Sequence, residues 1–215
     1  VCRRAIRRPW LTQNERAYLS LLGVLGSEWS RVIWAAFSLI NYDAKPGSKI
    51  DHAYTQFDIP KRSGGVRHIS APPPWIKKLQ RAILNKLLTP LGAHSSAHGF
   101  VVGKNISSNA SLHVGKDIVV NCDIQNCFPS VRWELVLKTL RRDLSDRLDM
   151  AAISKLVDLC TYNGALPVGA PTSPARLNRV LFDVDQTISN AADAGGFLYS
   201  RYADDLTFSG GAQSP

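Results

Sequence analysis

Three acidic residues set the chemical question. Asp204 and Asp205 stand side by side between two strand-forming runs, Phe197, Leu198, Tyr199 and Tyr202 before them and Leu206, Thr207 and Phe208 after. Asp123 closes an almost continuously apolar run, "DIVVNCDI" at 117–124. An Asp pair alone is an ordinary turn, because Asp is a preferred turn residue. A carboxylate at the end of a buried strand is costly unless it is paired or bound to a cation. If the two segments share a sheet, three carboxylates meet and need positive charge. Hard oxygen donors suit Mg²⁺, and two such ions about 3.5–4 Å apart support in-line phosphoryl transfer.

The composition agrees with a polyanionic partner. Lys plus Arg total 26 and Asp plus Glu 17 in 215 residues, a net charge of +9; nucleic acid is the commonest partner of so basic a chain. With 45% hydrophobic residues the chain can bury a core, which excludes a disordered tail. The length fits one domain, or one large domain with a small companion. Cys2, Cys122, Cys127 and Cys160 form no Cys-x-x-Cys pair, so neither a disulfide framework nor a structural zinc is expected. Three of them lie in apolar stretches and read as buried free thiols in a reduced, cytoplasmic setting. Glu28 and Arg31 interrupt the apolar run from Tyr18 to Ile40, which reads as two packed helices and not a membrane span. The start lacks a signal peptide's apolar region. It is Val and not Met, so a fragment is expected.

Residues 1–50 read as a helical extension with Arg3, Arg4, Arg7 and Arg8 at its head, ending in a linker at Pro46-Gly47. Residues 53–70 read as a β-hairpin turning at "RSGG". "APPP" at 71–74 stops it and starts a helix to about Leu88. Ile76, Leu79, Ile83 and Leu87 lie on one face; Lys77, Lys78, Arg81 and Lys86 lie on the other. "HGFVVGKNISSNASLH" at 98–113 is a glycine-bearing loop entering a short helix. The strand at 117–124 is apolar enough to be covered on both faces. Helices are expected around 131–142 and 149–161, and one long helix from Pro174 to about Ala192. The chain closes with the hairpin that carries Asp204 and Asp205.

At this point a resemblance becomes specific. "RYADDLTFS" at 201–209 resembles the Tyr-x-Asp-Asp signature of reverse transcriptases, and "DIQNCFPS" at 123–130 their first palm carboxylate motif. "LPVGAPTSPARLN" at 166–178, "IPKRSGGVRHISAP" at 59–72 with "WIKKLQRAIL" after it, and "AHGFVVGKNI" at 97–106 are similar to further blocks of that family, in family order. "NASLH" at 109–113 is similar to the Asn-Ala-x-x-His element of retron reverse transcriptases, and "GAPTSP" and "YADDLTFS" also look retron-like.

The resemblance implies an α/β (α+β) fold: a right-hand polymerase palm with an antiparallel sheet and helices, plus fingers. Residues 51–115 would be the fingers and 116–215 a palm. The chain ends just after the catalytic hairpin, so a truncated palm without a thumb, poorly active alone and with exposed apolar palm surface, is expected. Asp123, Asp204 and Asp205 would be the catalytic carboxylates and, with the Ile124 carbonyl, the ligands of two Mg²⁺ ions. Phe128 would be the steric gate against a 2′-hydroxyl; residue type alone favours a core position, and the motif position reverses that preference. Lys61 and Arg67 would close on the incoming triphosphate, Arg by bidentate contact, unless they are simply solvated. Gly169 would let backbone approach the template–primer. Val168 stands where the family has Gln, and Cys127 where Phe is common.

Asn109 and His113 would meet structured RNA, or His113 is an ordinary helix residue. Lys77, Lys78 and Arg81 would contact nucleic-acid backbone, or form a solvated face. The implied activity is RNA-directed DNA synthesis of the retron type. Its partners would be a structured RNA template and primer, nascent DNA, deoxynucleoside triphosphates and a defence effector protein, in antiphage defence. A reverse transcriptase of a group II intron, a diversity-generating element or a CRISPR-linked system remains an alternative, as does an RNA-binding palm that does not polymerise.

Overall fold

The structure, a computed structural model, describes residues 51–61, 64–148 and 150–211. The expected N-terminal extension over 1–50, with its arginine cluster and Cys2, lies outside these residues.

The hairpin expected first is present. β1 (Thr55–Pro60) and β2 (Val66–Ala71) pair antiparallel, with Thr55 opposite Ala71 and Pro60 opposite Val66. The Lys61 N–H donates to the Gly65 carbonyl at 3.0 Å, closing the turn. All of β1 is exposed, as is β2 from Val66 to His68. Pro74 then opens α1 (Pro74–Ile83), the position where a missing N–H costs nothing. Ile76, Leu79, Ile83 and Leu87 are fully buried, so the apolar periodicity was the core face. Gln80 on the same helix donates to the Tyr54 hydroxyl at 3.0 Å and to the Leu159 carbonyl at 2.8 Å. A buried amide tied in this way fixes α1 against α5 (Met150–Cys160).

α2 (Ile106–Ala110) is short and starts with a capping box between Asn105 and Ser108. β3 (Ile118–Asp123) follows, then the single turn α3 (Cys127–Ser130) and α4 (Trp133–Leu144), which packs on α5. The expected long helix is in fact two, α6 (Ser173–Val180) and α7 (Phe182–Ala194), broken at Leu181 where ψ is −3°. No Gly or Pro marks that break, so local sequence carried no signal for it. β4 (Leu198–Tyr202) and β5 (Asp205–Gly210) form the closing hairpin.

The second sheet has the order β3-β5-β4, all antiparallel. The segment 96–98 extends it at the free side of β4. The Arg201 N–H donates to the Ser96 carbonyl and the His98 N–H to the Arg201 carbonyl, both at 2.8 Å. One expectation is overturned here. Among the described residues β3 is not covered on both faces and lies at the sheet's edge; Ile118, Val119 and Val120 are 41–48% exposed. Apolar composition reports what a strand is suited to bury, not what lies on it. Cys122 in the same strand is likewise exposed, whereas Cys127 and Cys160 are buried free thiols as expected.

The fold is therefore mixed α and β with antiparallel sheets, as a palm-type architecture requires. One hydrophobic cluster runs from Tyr54 through Ile83, Leu140 and Leu156 to Leu177. It includes residues from both sides of position 115. Among the described residues no helix is long and apolar enough to cross a membrane.

Candidate active site

Strand register brings the carboxylates together. Antiparallel pairing of β3 with β5 sets Asp123 directly opposite Asp205, and Asp205 faces Tyr202 across β4. Asp204 occupies the turn between the two hairpin strands, and its carbonyl accepts from the Ile124 N–H at 3.0 Å. Residues about 80 positions apart in sequence thus share one end of one sheet. Burial, then the charges of Asp204 and Asp123, hold the Asp205 carboxyl above the ordinary carboxylate range. The buried Cys127 thiol is pushed up to about 11, first by burial and then by Asp204. Carboxylates that repel in this way form a donor set of the kind hard divalent cations take. Their spacing is open: among the described residues no three His, Cys, Asp or Glu side chains are already drawn to metal-holding distances.

A second layer lies beneath the turn, and sequence reading missed it. Arg201, fully buried, makes a two-point ion pair with buried Asp185 of α7. Nε donates to Oδ1 at 2.8 Å and Nη2 to Oδ2 at 2.7 Å. Its Nη1 donates to the Ala203 carbonyl at 2.7 Å, one residue before Asp204. Tyr199 donates its hydroxyl to Asp185 at 2.7 Å. Asn178 of α6 accepts from Arg201 at 3.1 Å and donates to the Gly99 carbonyl at 3.0 Å. Gly99 presses on the turn so closely that an added Cβ would fall 2.3 Å from the Ala203 nitrogen. Only glycine fits there. The available signal was an Arg inside an apolar alternating strand, since a buried charge must find a partner. The identity of that partner, Asp185, was not readable.

Of the "NASLH" residues, Asn109 and His113 face the interior, while Ala110, Ser111 and Leu112 are exposed. His113 is buried, its Nδ1 2.7 Å from the Ser209 hydroxyl on β5 and its Nε2 2.7 Å from the Ser200 hydroxyl on β4. Burial holds its pKa below the usual histidine value. Asn109 on α2 is buried as well. The expectation that these two side chains present themselves to RNA is therefore corrected: His113 clamps the carboxylate-bearing hairpin from within. On the same sheet face, Thr207 donates to the Asn121 amide oxygen at 2.9 Å, behind the Asp123–Asp205 pair.

The remaining expected residues fall in three places. Phe128 on α3 is half-buried at the edge of the core, one residue beyond Cys127. Lys61 and Arg67 are exposed on the β1–β2 hairpin. That hairpin is joined to the Gly169 turn, because the Ser70 N–H donates to the Val168 carbonyl at 2.8 Å. Gly169 has φ +121°, and an added Cβ would meet Ile69 at 3.0 Å and the Ser70 carbonyl at 3.2 Å. The absence of a side chain at this exposed position lets the turn lie against β2. Lys78 and Arg81 are exposed and Lys77 half-buried on α1, which packs on α5.

Comparison with known proteins follows this geometry. Residues 59–214 match the family model described as reverse transcriptase (RNA-dependent DNA polymerase). The retron Mx162 reverse transcriptase of Myxococcus xanthus is 38% identical across 94% of this chain and 43% of its own length. The retron Mx65 reverse transcriptase of the same organism is 39% identical across 77% of this chain and 42% of its own. The retron Ec83 reverse transcriptase of Escherichia coli is 38% identical across 73% and 52%. The chain thus spans about half the length of these relatives.

Proposed function

From the premise that this chain belongs to the reverse transcriptase family, we propose that the protein carrying it is a retron-type RNA-directed DNA polymerase. Such an enzyme adds deoxynucleotides to a primer 3′-hydroxyl on an RNA template. The observation that carries this reading is the register of Asp123 against Asp205 with Asp204 in the adjoining turn. Residues 51–115 act as fingers and 116–215 as palm on this reading.

Asp123, Asp204 and Asp205, with the Ile124 carbonyl, would hold divalent Mg²⁺. The bound cations would supply positive charge to the reacting phosphate and to three carboxylates that otherwise repel. The protein's own part is positioning, which dominates phosphoryl transfer. The β3–β5 register fixes two carboxylates across from each other, and the buried Arg201 fixes the turn that presents the third. Lys61 and Arg67 stand on an exposed hairpin and neutralise the incoming triphosphate. Phe128 excludes a sugar bearing a 2′-hydroxyl. Val168, half-buried, cannot hydrogen-bond through its side chain; its carbonyl anchors the fingers hairpin instead. The template would be a structured RNA, the product a DNA linked to it, and the setting antiphage defence with an effector partner.

The test is primer extension by the full-length protein that carries this chain, on a homopolymer RNA template with Mg²⁺. Asp204→Asn is expected to lower extension by at least about 10³-fold while leaving the thermal transition in place. Near wild-type extension by that variant would end the reading.

A further inference from the structure

Phe100 is an exposed aromatic residue held in a conformation that its type disfavours. Its φ is +60°, and it is 55% exposed. A positive φ is an outlier for a bulky residue, and such strain gathers at functional sites. Its neighbours leave it no alternative. Gly99 is wedged on the Ala203 backbone, its carbonyl held by the buried Asn178. His98 is bonded to the Arg201 carbonyl. The chain thus leaves the sheet edge at a fixed point and in a fixed direction. From there the Phe100 ring meets the Phe128 ring edge to face, with centroids 6.4 Å apart and planes at 76°. That geometry is among the preferred ones for aromatic pairs.

Phe128 is approached from a second strained position. Asn126, two residues before it, has φ +50°, and Ala203, beside Asp204, has φ +60°. Three of the four non-glycine residues with positive φ among those described therefore flank the carboxylates and this aromatic pair. An exposed Phe alone needs no explanation. One strained outward and packed on the residue read as the sugar gate does.

We propose that Phe100 is a specificity-determining positioning residue: its ring braces Phe128, so that the gate holds its place when a ribonucleotide presses on it. The inference rests on the polymerase reading and deepens it. Phe100 acts through Phe128 and touches no reacting atom.

The experiment is a double-mutant cycle on the ratio of deoxynucleotide to ribonucleotide incorporation. A ratio cancels any general loss of activity. Phe100→Gly removes the ring and suits the positive φ; Phe100→Tyr keeps ring and shape. Phe100→Gly is expected to lower the ratio about three- to tenfold, the size of a lost aromatic pair. Phe100→Tyr is expected to restore it. Phe128→Ala is expected to lower the ratio further, with Phe100→Gly adding little in its background, because the two act as one unit. An unchanged ratio in Phe100→Gly overturns the proposal, and so does full additivity with Phe128→Ala. The cycle is run in the full-length protein that carries this chain: wild type that extends primers without discriminating sugars fails the brace alone, whereas full-length wild type that extends nothing fails the polymerase reading and the brace with it.

Discussion

Two hairpins of nearly the same length divide the work of this molecule in opposite ways. β1–β2 has six paired positions and carries the cations Lys61 and Arg67. β4–β5 has five paired positions and carries the acids Asp204 and Asp205. The first is exposed along most of its length; its side-chain hydrogen bond, between His68 Nδ1 and Asp58 Oδ1 at 2.6 Å, lies on the surface. The second sits on a buried polar framework of Arg201, Asp185, Asn178, Tyr199 and His113. Like charges brought together need a rigid floor, because any slack lets them spread. On the polymerase reading, Lys61 and Arg67 close on a ligand and need freedom and solvent. The contrast explains why charge is buried beneath one hairpin and exposed on the other.

The largest expected effect tests the floor. Asp185→Asn leaves Arg201 buried without its partner and should cost about 3–5 kcal/mol in denaturant unfolding. A loss below 1 kcal/mol would erase the contrast between the hairpins. His113→Ala should cost about 1–3 kcal/mol, because Ser200 and Ser209 are then left buried and unpaired; His113→Gln should recover part of it.

A third test uses pH at Asp158 on α5. Burial, then the charge of Asp51, pushes the Asp158 carboxyl up to about 6. Its folded pKa lies above the unfolded value of 3.8, so the native state holds the proton more tightly. Stability should therefore fall as pH rises from about 4 to about 6. Asp158→Asn should flatten that fall and stabilise the protein by about 1 kcal/mol at neutral pH, discounted for partial exposure. Thermal melts of both forms between pH 4 and pH 8 measure it. The smallest effect belongs to the exposed hairpin. Arg67→Ala should change stability by less than about 0.5 kcal/mol yet raise the KM for the incoming triphosphate. A large stability loss would show that this hairpin too is a structural floor.

Much of the fold was legible. Helical periodicity marked the α1 core face residue by residue, and "APPP" marked its start. The turn at Asp204 was readable because apolar alternation brackets it. The break at Leu181 was not, since no helix-breaking residue produces it. Nor was the exposure of β3, because a strand's composition is silent about its neighbours. His113 looked like a surface contact because a short polar motif reads the same outside or inside. Only the two serine hydroxyls, some 90 residues further on, decide it.

The sequence by itself determined which residues could do the chemistry: three acids at strand ends, two cations at a turn, an aromatic residue between them. These follow from residue type and local periodicity, which the chain carries at every point. Only the tertiary structure decided that Asp123 faces Asp205, that Arg201 takes Asp185 as its partner, and that Gly99 lies against the turn. Those are choices among distant segments. They are made by register, by burial and by the cost of leaving a charge unpaired, none of which a local window contains.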